Sequence, residues 1–363
     1  MKFYLVGGAV RDELLQLPIK ERDWVVVGGS TDEMKRQGFQ LVGKEFPVFL
    51  HPKTREEYAL ARIERKTEPG YKGFAVDASS DVSLAEDLLR RDLTINAMAR
   101  DQEGNLIDPY GGKKDLANKI LKHVSPAFKE DPVRILLVAR FMARYQHLGF
   151  QIDPSTMELM RDMVANGEVN ALVAERVFKE LDRALGEPNP EAFFMTLADC
   201  GALWILFPGL TIPGKGVTAL KAANDISPKA VVRFAALLYQ YPECDTNHLS
   251  SIKELCRRYR TPVYYQELAE LAHKHYQTAF NFLSLSPDEL LTFFYALDIF
   301  RRMERFVDFL AVIQAIDGKI DVPTLKAKAD IVCAVDIKPL LKEGLDGKAL
   351  GDQIRAIRLL SLS

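Results

Sequence analysis

The chain has 363 residues, 48% hydrophobic and 27% charged, an ordinary globular composition but long for one core, so two or three domains are expected. Its 48 Lys plus Arg against 50 Asp plus Glu leave a net charge of −2. This excludes a globally cationic nucleic-acid binder and confines any polyanion contact to local clusters.

No run approaches about 18 uncharged apolar residues, so no membrane span is expected, and "MKFYLVGGAVRDELL" is charged too early for a secretory signal. Cys200, Cys244, Cys256 and Cys333 are scattered without CxxC spacing. They read as free thiols of a reducing cytoplasm rather than as a zinc site.

Up to about residue 125, short β-rich runs alternate with short helices. "KFYLVGG" (2–8) reads as a strand whose double glycine enters a helix over "AVRDELLQL" (9–17). Bare amides at Gly8 and a helix N-terminus form a phosphate cradle, with Arg11 one turn in to add charge. Alone, such a glycine pair is more often only a tight turn. The next strand, "ERDWVVVGG" (21–29), opens with Glu21 and Asp23 two apart, which puts both side chains on one face of an extended chain. Like charges this close raise one another's pKa unless something positive sits between them. Two Mg²⁺ ions about 3.5–4 Å apart are one answer, activating an attacking hydroxyl and stabilising a leaving pyrophosphate. A solvated strand end, with Glu21 paired to Lys20 or Arg22, is the other.

Ser30 opens a further helix, with Glu33 three residues on as a capping box. "PVFLHP" (47–52) and "EEYALARI" (56–63) read as strands, and the polar stretch 64–81 as a loop long enough to be functional. "LLRRDLTINAMA" (88–99) then places Asp92 and Asn96 four apart on one helical face, just after Arg90 and Arg91. Arg91 is suited to clamp a triphosphate. Asp92 and Asn96 are suited to hold a sugar hydroxyl or orient the helix, and Asn96, between "TI" and "AMA", is a buried polar group that needs a partner.

From about residue 126 the pattern is almost wholly helical. In "KEDPVRILLVAR" (129–140) Pro132 falls where a first helical turn tolerates it, and Asp131 and Arg134 are three apart on a helix. They either pair with each other or present acceptors and donors that read the edge of a base without a template strand.

Taken together, "LVGGAVRD", the acidic pair of "ERD", "RRDLTINA" and "EDPVR" occur in the order and approximate spacing of class II tRNA nucleotidyltransferases. Over roughly residues 1–210 the sequence resembles the bacterial CCA-adding enzymes of that family. The resemblance implies an α+β fold: a polymerase-β-like nucleotidyltransferase head (1–125), an all-α neck for nucleotide selection (126–210), and an all-α body and tail that grip tRNA (211–363). It implies template-independent addition and repair of the 3′-terminal CCA of tRNA from CTP and ATP, with Mg²⁺ as cofactor, in the cytoplasm. Carried over by motif, Gly8 and Arg11 contact the nucleotide, Glu21 and Asp23 hold Mg²⁺, and Arg91 holds the triphosphate, with Asp92 and Asn96 in the same nucleotide-binding set. Asp131 and Arg134 select CTP and then ATP, and Arg140 lines the same site.

Departures from the family pattern are equally specific. The acidic pair is Glu-x-Asp where many members have Asp-x-Asp, and Leu137 stands where an arginine is usual, removing a cation near Arg140. None of the six histidines is followed by Asp, so the phosphohydrolase activity of longer relatives is not expected. "HKH" (273–275) places its two histidines on different helical directions. The 64–81 stretch lies where CCA-adding members carry a loop needed for terminal A addition, which favours competence with ATP. "CRRYRTP" (256–262) and "IFRRMERF" (299–306) offer cations to a tRNA backbone, though each alone reads as a solvated helix face. An A-adding-only enzyme or a poly(A) polymerase shares nearly all these motifs. A catalytically impaired RNA-binding protein is the rival of another class, favoured only by Leu137.

Overall fold

A computed structural model describes residues 1–42, 47–66, 74–77, 79–244, 251–342 and 347–362. The chain divides into two compact units, Met1–Leu181 with Met195–Leu206, and Asp182–Phe194 with Phe207–Ser363. In the first unit β1 (Lys2–Val6) runs into α1 (Gly8–Leu14), followed by β2 (Asp23–Val27), α2 (Thr31–Arg36), β3 (Gln40–Leu41), β4 (Val48–Leu50) and β5 (Glu57–Leu60). Next come β6 (Ile63–Lys66), β7 (Phe74–Asp77), α3 (Leu84–Leu89), β8 (Ala99–Arg100), β9 (Leu106–Ile107), α4 (Gly112–Ala117) and β10 (Ile120–Leu121). The helical part begins with α5 (Val133–Tyr145), interrupted by β11 (Gln151–Ile152), and continues through α6 (Pro154–Ala165), α7 (Ala174–Leu185), α8 (Glu191–Asp199) and α9 (Leu203–Leu206).

Seven strands form one mixed sheet in the order β3-β4-β5-β2-β1-β8-β9. β2 is antiparallel to β1 and parallel to β5. Its run of valines suits a strand buried on both faces, and the two-residue period sends successive side chains to opposite sides. Val25 joins a cluster with Val6, Leu88 and Ala97, while Val26 joins Met34, Phe49 and Leu60 on the other face. The expected capping box is present: Glu33 N–H donates to Ser30 Oγ at 3.3 Å, and Ser30 N–H donates back to the Glu33 carboxylate at 2.8 Å. A second box, Ser83 with Glu86, opens α3.

Two local expectations are corrected. The 64–81 stretch is not simply a loop, because β6 and β7 pair as an antiparallel ribbon; residues 67–73 and 78 lie outside the described residues. The helix expected to carry Asp92 and Asn96 ends at Leu89. Asp92 lies in the turn beyond it and Asn96 closes a short 3₁₀ turn, Thr94–Asn96. The i,i+4 spacing is real, but its helix is not. The helical expectation after residue 126 holds apart from β11, which pairs in parallel with β10.

In the second unit α10 (Lys215–Ile226), α11 (Ala230–Leu238), α12 (Ile252–Arg258), α13 (Val263–Phe280), α14 (Pro287–Ala296) and α15 (Met303–Ile316) lead into three further helices. Arg233 of α11 is buried and donates to the carbonyls of Leu185, Glu187, Asn224 and Ser227. It thereby satisfies acceptors left free where α7 and α10 end.

The turn that carries Asn96 is held from behind by α4. Asp108 accepts from the amides of Gly112 and Lys113 at 2.7 and 2.9 Å, and Thr94 Oγ1 donates to Asp115 at 2.7 Å. Gly112 is pressed so closely on this turn that a Cβ would lie 2.1 Å from the Thr94 carbonyl oxygen. Backbone cannot swing aside as a side chain can. Gly112→Ala is therefore expected to destabilise the protein by about 1–3 kcal/mol through overpacking, measured by denaturant unfolding; an unchanged midpoint would refute the tight contact.

Candidate active site

Sheet register assembles the acidic edge. Asp23 opens β2 opposite both Val6, the last residue of β1, and Glu57, the first of β5. Asp23 shares the Val25 face by the two-residue period, the face against which Leu88 and Ala97 pack. Glu57 is on the same face, because its neighbour Tyr58 packs with the opposite cluster. Glu21 lies just before β2 and acts on Asp23 through its charge. Asp23 keeps an open side to solvent at the strand lip, yet the protein crowds it from behind. That desolvation, then Glu57 and Glu21, push its carboxyl above the ordinary carboxylate value, with Arg91 pulling it back. An open cleft of ≈ 470 Å³ lies over this edge, lined by Glu21, Asp23 and Glu57 together with Lys20, Arg22 and Arg55.

Sequence pattern does not single out Glu57. Its only signal is that it opens a strand as Asp23 does, and register is invisible to local pattern.

These residues fit a hard divalent cation. The donors are carboxylate oxygens, and the Asp23 carboxyl is raised by burial and then by the like charges of Glu57 and Glu21, which a cation would neutralise. Among the described residues no three His, Cys, Asp or Glu side chains close into a complete cage. An ion that keeps several waters and binds through one or two carboxylates plus phosphate needs no such cage.

The cation facing the glycine turn is Arg91. Gly7 has φ 69°, so its backbone requires glycine, and a Cβ there would lie 2.7 Å from Arg91 Nη1 and push the guanidinium aside. Arg91 Nη1 donates to the Asn96 carbonyl at 3.5 Å and Nη2 to Asp87 at 3.4 Å. Its Nε is buried and has no hydrogen-bond partner among the described residues.

Arg11 lies against Gly8, its Nη2 3.4 Å from where a Cβ there would sit. It is 4% exposed, donates to Asp12 at 2.9 Å and to Asn96 Oδ1, and lies over the rings of Phe141 and Tyr145 at 5.1 and 5.5 Å. Its charge lies at the Gly8 side of the turn, where α1 turns position 11 inward and Asp12 pairs with it. Asp12 also accepts from Arg144 at 3.1 Å and Tyr145 Oη at 3.0 Å, binding α1 to α5. Asn96 is buried, as its flanking residues predict, and donates to Asp92 at 3.0 Å. The chain Arg11–Asn96–Asp92 runs directly behind the turn.

Asp131 and Arg134 do not share a helix or pair with each other. Asp131 is extended and precedes α5, where Arg176 grips it bidentately at 2.8 and 3.2 Å. Arg134 donates to the carbonyls of Ala127 and Arg90. Arg140 pairs with the buried Glu180 at 2.6 Å, and Leu137 is half-buried on the same helix. Local pattern gives no sign of the roles of Arg176 and Glu180, since an i,i+4 pair on α7 looks self-sufficient; each reaches across to the α5 region. Of the "HKH" histidines, His273 meets the Tyr239 carbonyl at 3.1 Å and His275 packs on Phe293.

With this geometry in hand, comparison with known proteins identifies the relatives. Residues 3–122 match the family model described as the poly A polymerase head domain, and 149–212 that of the probable RNA- and SrmB-binding site of polymerase A. The chain is 49% identical to the multifunctional CCA protein of Thioalkalivibrio sulfidiphilus, over 100% of this chain and 98% of that one. It is 50% identical to the CCA-adding enzyme of Coxiella burnetii, over 99% and 94%. The chain belongs to the CCA-adding enzyme family. Solved structures agree on the fold: a CCA-adding enzyme in an apo form gives a TM-score of 0.76 at 24% identity, over 99% of this chain and 88% of that one. The Thermotoga maritima CCA-adding enzyme complexed with tRNA gives 0.72 at 21% identity, over 99% and 87%.

The raised Asp23 carboxyl yields a prediction with a definite sign. A carboxyl whose folded pKa exceeds its unfolded value costs stability as pH rises from the ordinary carboxylate range through the folded pKa. A divalent cation needs the deprotonated form and reverses that cost. Adding Mg²⁺ or Mn²⁺ is therefore expected to raise the thermal midpoint more at pH 7.5 than at pH 5. Asp23→Asn should abolish the rise while unfolding no lower than wild type in metal-free buffer at pH 7.5. An equal metal shift in the variant would remove Asp23 from the metal site.

Proposed function

We propose that the protein builds and repairs the 3′-terminal CCA of tRNA without a template, joining CTP and ATP to the acceptor end and releasing pyrophosphate. The observation that carries this reading is the position of Arg91. Arg91 lies against Gly7 and acts on the carboxyl of Asp23, so a triphosphate held there reaches the acidic edge. End-to-end identity near 50% with CCA-adding enzymes supplies the substrate class.

In this reading Glu21 and Asp23, with Glu57 beside them, hold Mg²⁺. Such ions supply positive charge that favours the attacking hydroxylate and the departing pyrophosphate. The chain's own residues do the rest. Gly8 offers its amide to phosphate at close approach, and Arg91 binds the triphosphate through guanidinium donors in a fixed fork. α1 has only seven residues, so the clamp owes more to Arg91 than to a helix dipole. Arg11, Asn96 and Asp92 hold the turn from behind. Asp131 and Arg134 read the base edge, with Arg176 orienting Asp131, and Arg140 and Glu180 complete that wall.

We assign catalysis to residues 1–125, nucleotide selection to 126–210 and tRNA binding to 211–363. tRNA as substrate points to the cytoplasm, and no helix of the described residues is long and apolar enough to cross a membrane. With no His-Asp pair in the sequence, nucleotidyl transfer is the only activity proposed.

Two measurements test this. Given tRNA lacking its CCA, the protein should add two C with CTP alone and complete the end only when ATP is also present. Addition of A alone, or of long A tracts, would replace the reading with an A-adding enzyme or a poly(A) polymerase. For base selection, Arg134→Ala should raise kcat/KM for UTP and GTP relative to CTP and ATP. Each hydrogen bond to the base edge is worth about 1–3 kcal/mol of discrimination. Unaltered preference across the four nucleotides in both Asp131→Ala and Arg134→Ala would move selection elsewhere in the pocket.

A further inference from the structure

The carboxylate of Asp87, on α3, is wholly buried, with 0% exposure. A carboxylate taken out of water costs several kcal/mol unless it is paired and hydrogen-bonded. Asp87 is paired twice over. Its Oδ1 accepts from Arg90 Nη2 at 2.8 Å and Nε at 3.1 Å, and from the Arg62 amide at 3.3 Å. Its Oδ2 accepts from Arg91 Nη2 at 3.4 Å. Burial works against the charge, but Arg90 and Arg91 outweigh it and hold the carboxyl below its ordinary value, so it stays ionised at neutral pH.

The two arginines are held unequally. Arg90 makes close, forked contacts to the carboxylate. The contact to Arg91 is longer. What it does is fix direction: with Nη2 on Asp87 and Nη1 on the Asn96 carbonyl, the guanidinium is held with its Nη1 end against Gly7. Asp87 is shared between two cations, and Arg91 keeps a buried Nε that no described group satisfies. A guanidinium so held is oriented but not consumed, which is what preorganised anion binding demands.

We propose that Asp87 is a positioning residue for nucleotide binding, setting the guanidinium of Arg91 at the glycine turn to receive the triphosphate. The inference rests on reading Arg91 as the triphosphate ligand, and the test separates the two. Wild type, Asp87→Asn, Arg91→Ala and the double variant are compared by KM and kcat for CTP and ATP. Inhibition by inorganic tripolyphosphate, which has neither base nor sugar, and tRNA affinity and thermal midpoint are measured on the same proteins.

Asp87→Asn is expected to raise both KM values and the tripolyphosphate inhibition constant about ten- to a hundredfold, the scale of a misplaced binding group. tRNA affinity and the ratio of CTP to ATP use should not change, and the substitution should add nothing in the Arg91→Ala background. Losses that multiply in the double variant would show that Asp87 acts independently of Arg91 and overturn the proposal. If Arg91→Ala leaves tripolyphosphate inhibition unchanged, the ligand reading of Arg91 fails and the proposal falls with it. Should Asp87→Asn unfold the protein, Asp87→Glu keeps the charge and displaces it by one methylene. It is expected to fold and still raise KM, and an unchanged KM there would equally overturn the proposal.

Discussion

Backbone pairing across β1, β2 and β5 holds Asp23 level with Glu57 and with the residue before the glycine turn, whatever the charges would prefer. The competition is uneven. Two water-facing carboxylates about 4 Å apart repel by on the order of 1 kcal/mol. Burying each of Val25 and Val26, both under 3% exposed, contributes about 1.5–3 kcal/mol. The strand therefore forms with its acidic lip in place, and burial, then the charges of Glu57 and Glu21, leave the Asp23 carboxyl raised in the native state. A site of this kind is built by the core and left for a cation to relieve.

The arginines around that lip divide by what neutralises them. Arg11 is matched by Asp12, Arg140 by Glu180 and Arg176 by Asp131. Each of these pairs joins segments or braces a wall, and removing one partner would strand a partly or fully buried charge. Arg91 differs in how loosely it is held: it meets the shared Asp87 at 3.4 Å against 2.8 Å for Arg90, whereas Asp12, also shared, holds Arg11 at 2.8 Å and Arg144 at 3.1 Å. Walls need closed pairs, whereas a ligand site needs an open one. The same residue type serves both ends according to how its counter-charge is apportioned.

Much of this is legible in the sequence where the signal is local. Val25 and Val26 announce a buried strand, Ser30 and Glu33 a capped helix, and Asn96 among apolar neighbours a buried amide in need of partners. Local pattern fails where tertiary geometry chooses among equal local options. Asp92 and Asn96 meet as expected at i,i+4, but through a turn and a 3₁₀ segment with Gly112 pressed against it. Arg176 and Glu180 look like a self-sufficient helical ion pair, yet each reaches a partner outside its helix, Asp131 and Arg140. Glu57 is invisible because only the parallel register with β2 brings it beside Asp23. The inward turn of Arg11 is hidden by its adjacency to Asp12, which makes a buried charge tolerable.

One hydrogen bond links the base-reading region to the clamp. Arg134 donates to the carbonyl of Arg90, and Arg90 is the tightest partner of Asp87, which in turn directs Arg91. A guanidinium that moved from that carbonyl onto a base would release the peptide immediately before the triphosphate ligand. Truncating Arg134 does the same without a base present, so it loosens the clamp for every nucleotide while removing discrimination among them. The two effects separate cleanly. Release of the Arg90 carbonyl is common to all four nucleotides and cancels in a ratio of kcat/KM values, whereas the absence of base reading does not. Base selection by this helix is therefore a statement about ratios, and absolute rate alone says nothing about it.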